Sequence, residues 1–164
     1  MAESKKKPAS EVKTFSVPFA LRETKENITL NTNDPSKFSK QEIINQAFKC
    51  HSQGNILEAV KYYQEFINRG FEDYRVFSNY GAILKDIGKL KEAELLTRKS
   101  IEIKPDFADA HSNLGTIMQD LGNLKAAELS QRKAIEIDPD FAMAYSNLGN
   151  ILQELGNLHE AELS

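Results

Sequence analysis

The sequence predicts an all-α fold, a solenoid of antiparallel helix pairs. Three observations carry that expectation. A period of 34 residues runs from about residue 40 onward, glycines fall at the same point of every period, and the chain has no convincing strand, its one apolar/polar alternation, Phe15 to Leu21, being broken by Pro18.

The period appears in independent ladders. Gly81, Gly115 and Gly149 are 34 residues apart, and so are Gly54, Gly88, Gly122 and Gly156, Ala59, Ala93, Ala127 and Ala161, and the pair Pro105 and Pro139. Residues 107–130 and 141–164 share 17 identities in 24 positions, so the units are copies of one structural element. They divide the chain into repeats at about 40–73, 74–107 and 108–141, with a truncated fourth at 142–164.

Each element has a local reason. Residues 1–38 are rich in Lys, Ser, Thr, Asn and Pro and have no helical apolar period, so they are expected to form a disordered N-terminal tail. At Ser39 a capping box begins, with Glu42 three residues on, opening a helix that places Ile43, Ala47 and Cys50 on one face. Gly54, Gly88, Gly122 and Gly156 each follow an apolar-periodic run and can take the positive φ that ends a helix, after which a second helix returns. Pro105 and Pro139 stop the second helices. Ala47, Gly81, Gly115 and Gly149 sit inside first helices, where glycine costs about 1 kcal/mol against alanine. A close helix approach is the expected reason.

These residues resemble the tetratricopeptide repeat. The matching positions are Phe77, Gly81, Ala93 and Pro105, then Leu114, Gly115, Ala127 and Pro139, then Tyr145, Leu148, Gly149 and Ala161. Residues 40–73 fit less well: Ala47, Gly54, Ala59, Tyr63 and Phe66 are in place, but Gly70 and Phe71 stand where the next unit has Lys104 and Pro105. The repeats are also similar to those of O-linked N-acetylglucosamine transferases and of bacterial tandem-repeat proteins. The resemblance implies a right-handed superhelix whose first helices line a concave groove. Thr97 and Gln131 replace an aromatic of the pattern, so looser second-helix packing is expected beside them.

Little in the sequence points to catalysis. His51, His111 and His159 fall at different places in their repeats, and no His or Cys pair has metal-ligand spacing. Cys50 and His51 are adjacent, which on a helix points them about 100° apart and separates a nucleophile from its base; Cys50 is expected in the core. There is no Gly-rich phosphate loop between a strand and a helix. The expectation is a protein with no catalytic residue, no metal and no cofactor.

Charge and composition narrow the partners. Residues 1–40 carry 8 Lys or Arg against 5 Asp or Glu, leaving 13 against 19 for the rest, a mildly acidic body with no electrostatic reason to bind nucleic acid or a membrane surface. A single cysteine excludes an internal disulfide and suits a cytoplasmic location. What remains is a protein or peptide ligand.

Asn45, Asn79, Asn113 and Asn147 recur at 34-residue spacing on the first helices, three of them preceded by Ser78, Ser112 and Ser146. By resemblance to the transferase repeats, such asparagines hold the backbone of an extended polypeptide, and a carboxamide offers the donor and acceptor this needs. Lys85 and Gln119 are expected to tune side-chain preference. Repeat proteins that clamp the C-terminal carboxylate of heat-shock chaperones use cations on these helices, whereas the corresponding positions here are Ile44, Phe48, Asp109 and Asn113. The expected function is a non-catalytic interaction module or scaffold. The alternative is a substrate-targeting module of a longer glycosyltransferase or sulfotransferase cut at Ser164, because the fourth unit holds only the start of its second helix, near Leu158 to Ser164, and no capping helix. Self-association through that uncapped repeat is the remaining expectation.

Overall fold

The structure, a computed structural model, describes residues 37–162, and side chains as far as residue 156. The expected tail, apart from its last two positions, lies outside the described residues. Seven helices follow one another: α1 (Lys40–Ser52), α2 (Ile56–Asn68), α3 (Tyr74–Asp86), α4 (Leu90–Ile103), α5 (Ala108–Asp120), α6 (Leu124–Ile137) and α7 (Ala142–Glu162). Each packs on its neighbours in sequence, and first helices also meet first helices, α3 on α5 and α5 on α7. That is the contact pattern of a stacked solenoid.

The local signals set most boundaries. Ser39 caps α1, its hydroxyl accepting from the Glu42 amide while the Glu42 carboxylate accepts from the Ser39 amide at 2.8 Å. The Ser39 hydroxyl, which also donates to this carboxylate at 2.7 Å, and the Ser39 amide together hold the Glu42 carboxyl below the usual carboxylate range. Gly54, Gly88 and Gly122 take φ of 73°, 78° and 77°. At each, the next amide reaches back to a carbonyl five residues earlier, as in Lys89 N–H to Leu84 O at 2.8 Å. Gly70, φ 70°, closes α2 in the same way, so the first repeat ends its second helix with a glycine where the later ones use proline. Lys104 and Asp138, each before a proline, are extended as that neighbour demands.

The first repeat, weakest in sequence match, is well buried. Ile43, Ala59, Tyr63 and Phe66 are fully enclosed, and the Tyr63 ring stacks on Tyr80 at 5.6 Å, tying the first repeat to the second. Cys50 is half-buried and packs against this core, and burial pushes its thiol up, away from nucleophilic character.

Three expectations need correction. Thr97 and Gln131 do not loosen the second helices: both are fully buried, and they lie on the glycines of the first helices. A Cβ built on Gly81 would stand 2.5 Å from Thr97 Oγ1, and one on Gly115 would fall on the Gln131 carboxamide, with Cδ at 2.8 Å. The smaller side chains let the helices approach closely, and Gln131 Nε2 donates to the Ser112 carbonyl at 3.0 Å. The cost is that Thr97 Oγ1 and Gln131 Oε1 are buried without a hydrogen-bond partner.

The second correction is Gly156, which does not turn the chain: α7 runs through it to Glu162. Gly122 is followed by the 14-residue α6, whose Ala127 and Gln131 pack back onto α5. After Gly156 the described helix holds only residues 157–162, too few to bury a returning face, so local helix propagation prevails. The third follows from it. Gly149 meets nothing within 4 Å of a built Cβ, because no second helix among the described residues covers it. On the same helix Met143, Tyr145 and Leu152 are exposed.

Candidate peptide-binding groove

On a helix, positions i, i+4, i+7 and i+11 share one face. Starting four residues before each asparagine, that face reads Gln41, Asn45, Phe48 and Ser52 on α1, and Arg75, Asn79, Ala82 and Asp86 on α3. On α5 it reads Asp109, Asn113, Thr116 and Asp120, and on α7 Met143, Asn147, Asn150 and Glu154. All sixteen side chains are exposed or half-buried. They form one ribbon because α5 stacks on α3 and α7 on α5, while Arg75 of α3 lies over the Phe48 ring of α1.

The asparagines have different surroundings. Asn45 is exposed and accepts from Gln41 Nε2 at 2.9 Å. Asn79 hydrogen-bonds the hydroxyl of Tyr63, which also lies 3.1 Å from His51 Nδ1. Burial pushes the Tyr63 phenol up to about 12, against the opposing effect of the Asn79 bond. Asn113 Nδ2 donates to Ser78 Oγ at 3.0 Å, and Asn147 Nδ2 reaches Ser112 Oγ at 3.5 Å. The ladder therefore also bolts α5 to α3 and α7 to α5.

The serines divide. Ser78 and Ser112, expected to contact a ligand, are 1% and 3% exposed, enclosed in the seam between first helices, where they accept from the next repeat's asparagine. Their place beside the stacking neighbour, rather than on the open face, is the reason. Ser146 is exposed. Lys85 Nζ lies 3.1 Å from Asp86 Oδ1, and Gln119 donates its amide to the Glu154 carboxylate across to α7. Sequence reasoning passed over the acidic row of the ribbon, Asp86, Asp120 and Glu154. Its 34-residue spacing was the available signal.

The Asn113 bond makes a stability prediction. Asn113→Ala leaves the buried Ser78 hydroxyl without this donor and is expected to cost about 1–2 kcal/mol, whereas Asn45→Ala, exposed on α1, should stay within about 0.5 kcal/mol. Denaturant titration of the two variants measures the difference, and equal small effects would remove the structural role of the ladder.

Among the described residues no group of His, Cys, Asp or Glu could hold a metal ion, and no helix is long and apolar enough to cross a membrane. The ribbon offers carboxamides, hydroxyls, carboxylates, the Arg75 guanidinium and one half-buried aromatic ring, Phe48. These are groups for binding a polar chain.

Such a stack of helical hairpins with a polar inner ribbon defines a class, the helical-repeat interaction proteins. Tetratricopeptide repeat signatures match residues 74–107 and 108–141, and another signature of the same description matches 131–162, together more than half of the chain. The chain belongs to the tetratricopeptide repeat family. No curated protein sequence matches it.

Solved structures share the fold. The first repeat domain of Spaghetti (RPAP3) bound to the HSP90 peptide SRMEEVD superposes with a TM-score of 0.66 at 20% identity, covering 71% of this chain and 93% of that one. The TPR2B domain of yeast Sti1 in complex with an Hsp70 peptide gives 0.63 at 23%, covering 70% and 97%. A mutant O-GlcNAc transferase from Thermobaculum terrenum gives 0.66 at 21%, covering 74% of this chain and 23% of its own.

Proposed function

We propose that this chain is a non-catalytic protein-interaction module that binds extended polypeptide along the first-helix ribbon. The carrying observation is the asparagine ladder on that ribbon, four carboxamides in one register. Asn113 and Asn147 each spend one amide hydrogen on a serine, which leaves the carbonyl oxygen and the second hydrogen for a peptide unit. Structures of like fold hold heat-shock peptides, as their descriptions state, and this supports a peptide as the ligand class. The chemistry of this ribbon argues against a C-terminal carboxylate as the anchor: Ile44 is buried, and Phe48, Asp109 and Asn113 supply no cation.

The test is titration with a peptide obtained by selection on the protein. Each ligand hydrogen bond contributes about 1 kcal/mol net, so Asn79, Asn113 and Asn147 replaced together by alanine should weaken binding about a hundredfold. Measurement well below the variant's melting temperature separates this from the stability loss. Unchanged affinity would place peptide binding elsewhere.

A further inference from the structure

Charge is not spread evenly along the ribbon. Neither α5 nor α7 contains a lysine or arginine, while their inner face carries Asp109, Asp120 and Glu154, with Asp109 and Asp120 exposed and free of any ion pair to a cation of their own helix. On α3 the charges are matched: Arg75 is held by Asp73 at 2.8 Å, and Lys85 by Asp86 at 3.1 Å. On α1 the face is uncharged and its centre is the half-buried ring of Phe48, with the Arg75 guanidinium 5.5 Å from the ring centroid. One end of the ribbon is aromatic and neutral, and the other is amide-lined and negative.

We propose that the groove selects a charge-graded segment, with an apolar or aromatic side chain seated at Phe48 and lysine or arginine side chains over α5 and α7. This rests on the peptide-binding reading above. The argument is charge complementarity along α5 and α7, which carry no lysine or arginine, where a bound cation meets carboxylates while its backbone meets carboxamides. Spacing follows from geometry. Stacked helices lie about 8–10 Å apart, and an extended chain advances about 3.3 Å per residue, so successive cations fall about three residues apart. The fixed ion pairs on α3 act against a cation there, because a ligand lysine would have to compete with Lys85 for Asp86.

The experiment uses the full chain and synthetic extended peptides with phenylalanine at one end and lysine at every third position towards the other. They are made in both chain directions, with matched glutamine and glutamate versions. In the favoured direction the lysine peptide should bind about tenfold more tightly than the glutamine one at low salt, with the glutamate one weakest. The advantage should shrink at high salt and in the Asp109→Asn, Asp120→Asn, Glu154→Gln variant. Phe48→Ala should weaken the phenylalanine peptide and leave an alanine-ended one unchanged. Equal affinity for the three charge types in both directions, or a lysine advantage untouched by the acid substitutions, would overturn the proposal while leaving the groove reading in place. If no peptide of any charge binds, the groove reading falls and takes this one with it.

Discussion

Alanine at Gly81 is expected to destabilise the protein and alanine at Gly149 to stabilise it, although the two glycines hold the same position of their repeats. A methyl group at Gly81 would lie 2.5 Å from Thr97 Oγ1 and 3.3 Å from the Ala93 carbonyl oxygen, one on a stiff β-branched side chain and the other on backbone. Overpacking of this kind costs about 1–3 kcal/mol, against about 1 kcal/mol gained from alanine's helix propensity. The net loss is up to about 2 kcal/mol, and leucine at Gly81 should cost more than about 3 kcal/mol. At Gly149 nothing stands within 4 Å, so only the propensity term acts and the gain approaches about 1 kcal/mol. Gly115 falls between, since the side chain it meets, Gln131, is flexible but fully buried. Denaturant titration of the three alanine variants tests the order, with Gly81→Ala, Thr97→Ala as a partial rescue. The same response at all three positions would show that close approach is not what the glycines serve.

Stability should fall steeply at alkaline pH. Burial raises the phenols of Tyr62, Tyr63 and Tyr80, Tyr63 to about 12. The sign follows from linkage: between pH about 10 and 12 the unfolded chain has released the Tyr63 proton and the folded protein has kept it, so the unfolded state binds fewer protons and stability declines as pH rises. The contribution is complete below the unfolded value near 10 and is lost as pH passes the folded value near 12, about 2–3 kcal/mol for Tyr63. Tyr62 and Tyr80 add loss in the same direction. Unfolding free energies measured across that range should drop, and Tyr63→Phe should flatten the drop while lowering neutral-pH stability through loss of the Asn79 bond. A flat profile in the wild type would mean that Tyr63 is far less enclosed than its contacts indicate.

The two predictions draw on different levels of the molecule, and the same division shows in what could be read beforehand. The helix pairs, the capping box at Ser39, the glycine turns at 54, 88 and 122 and the stops before Pro105 and Pro139 were legible in the sequence. Each depends on backbone constraints spanning a few residues, which a fixed residue type at a fixed spacing reveals. The asparagine row was legible for the same reason, since period alone places it on one face.

Tertiary packing decided the rest. Ser112 and Ser146 sit in nearly the same words, yet Ser112 is enclosed because Asn147 of α7 covers it, while Ser146 is exposed with no following first helix among the described residues. Gly122 and Gly156 share the same flanking residues, yet only Gly122 turns the chain, because a returning helix is present to pack behind it. Thr97 and Gln131 depart from the aromatic expected of the repeat, and only the distance between helices shows that they are what allows Gly81 and Gly115 to be approached so closely. By itself the sequence determined which segments become helices and which faces repeat. The structure decided which copies of a repeated residue are covered, because cover is supplied by a neighbour 16 to 35 residues away and a local pattern carries no record of whether that neighbour has folded back.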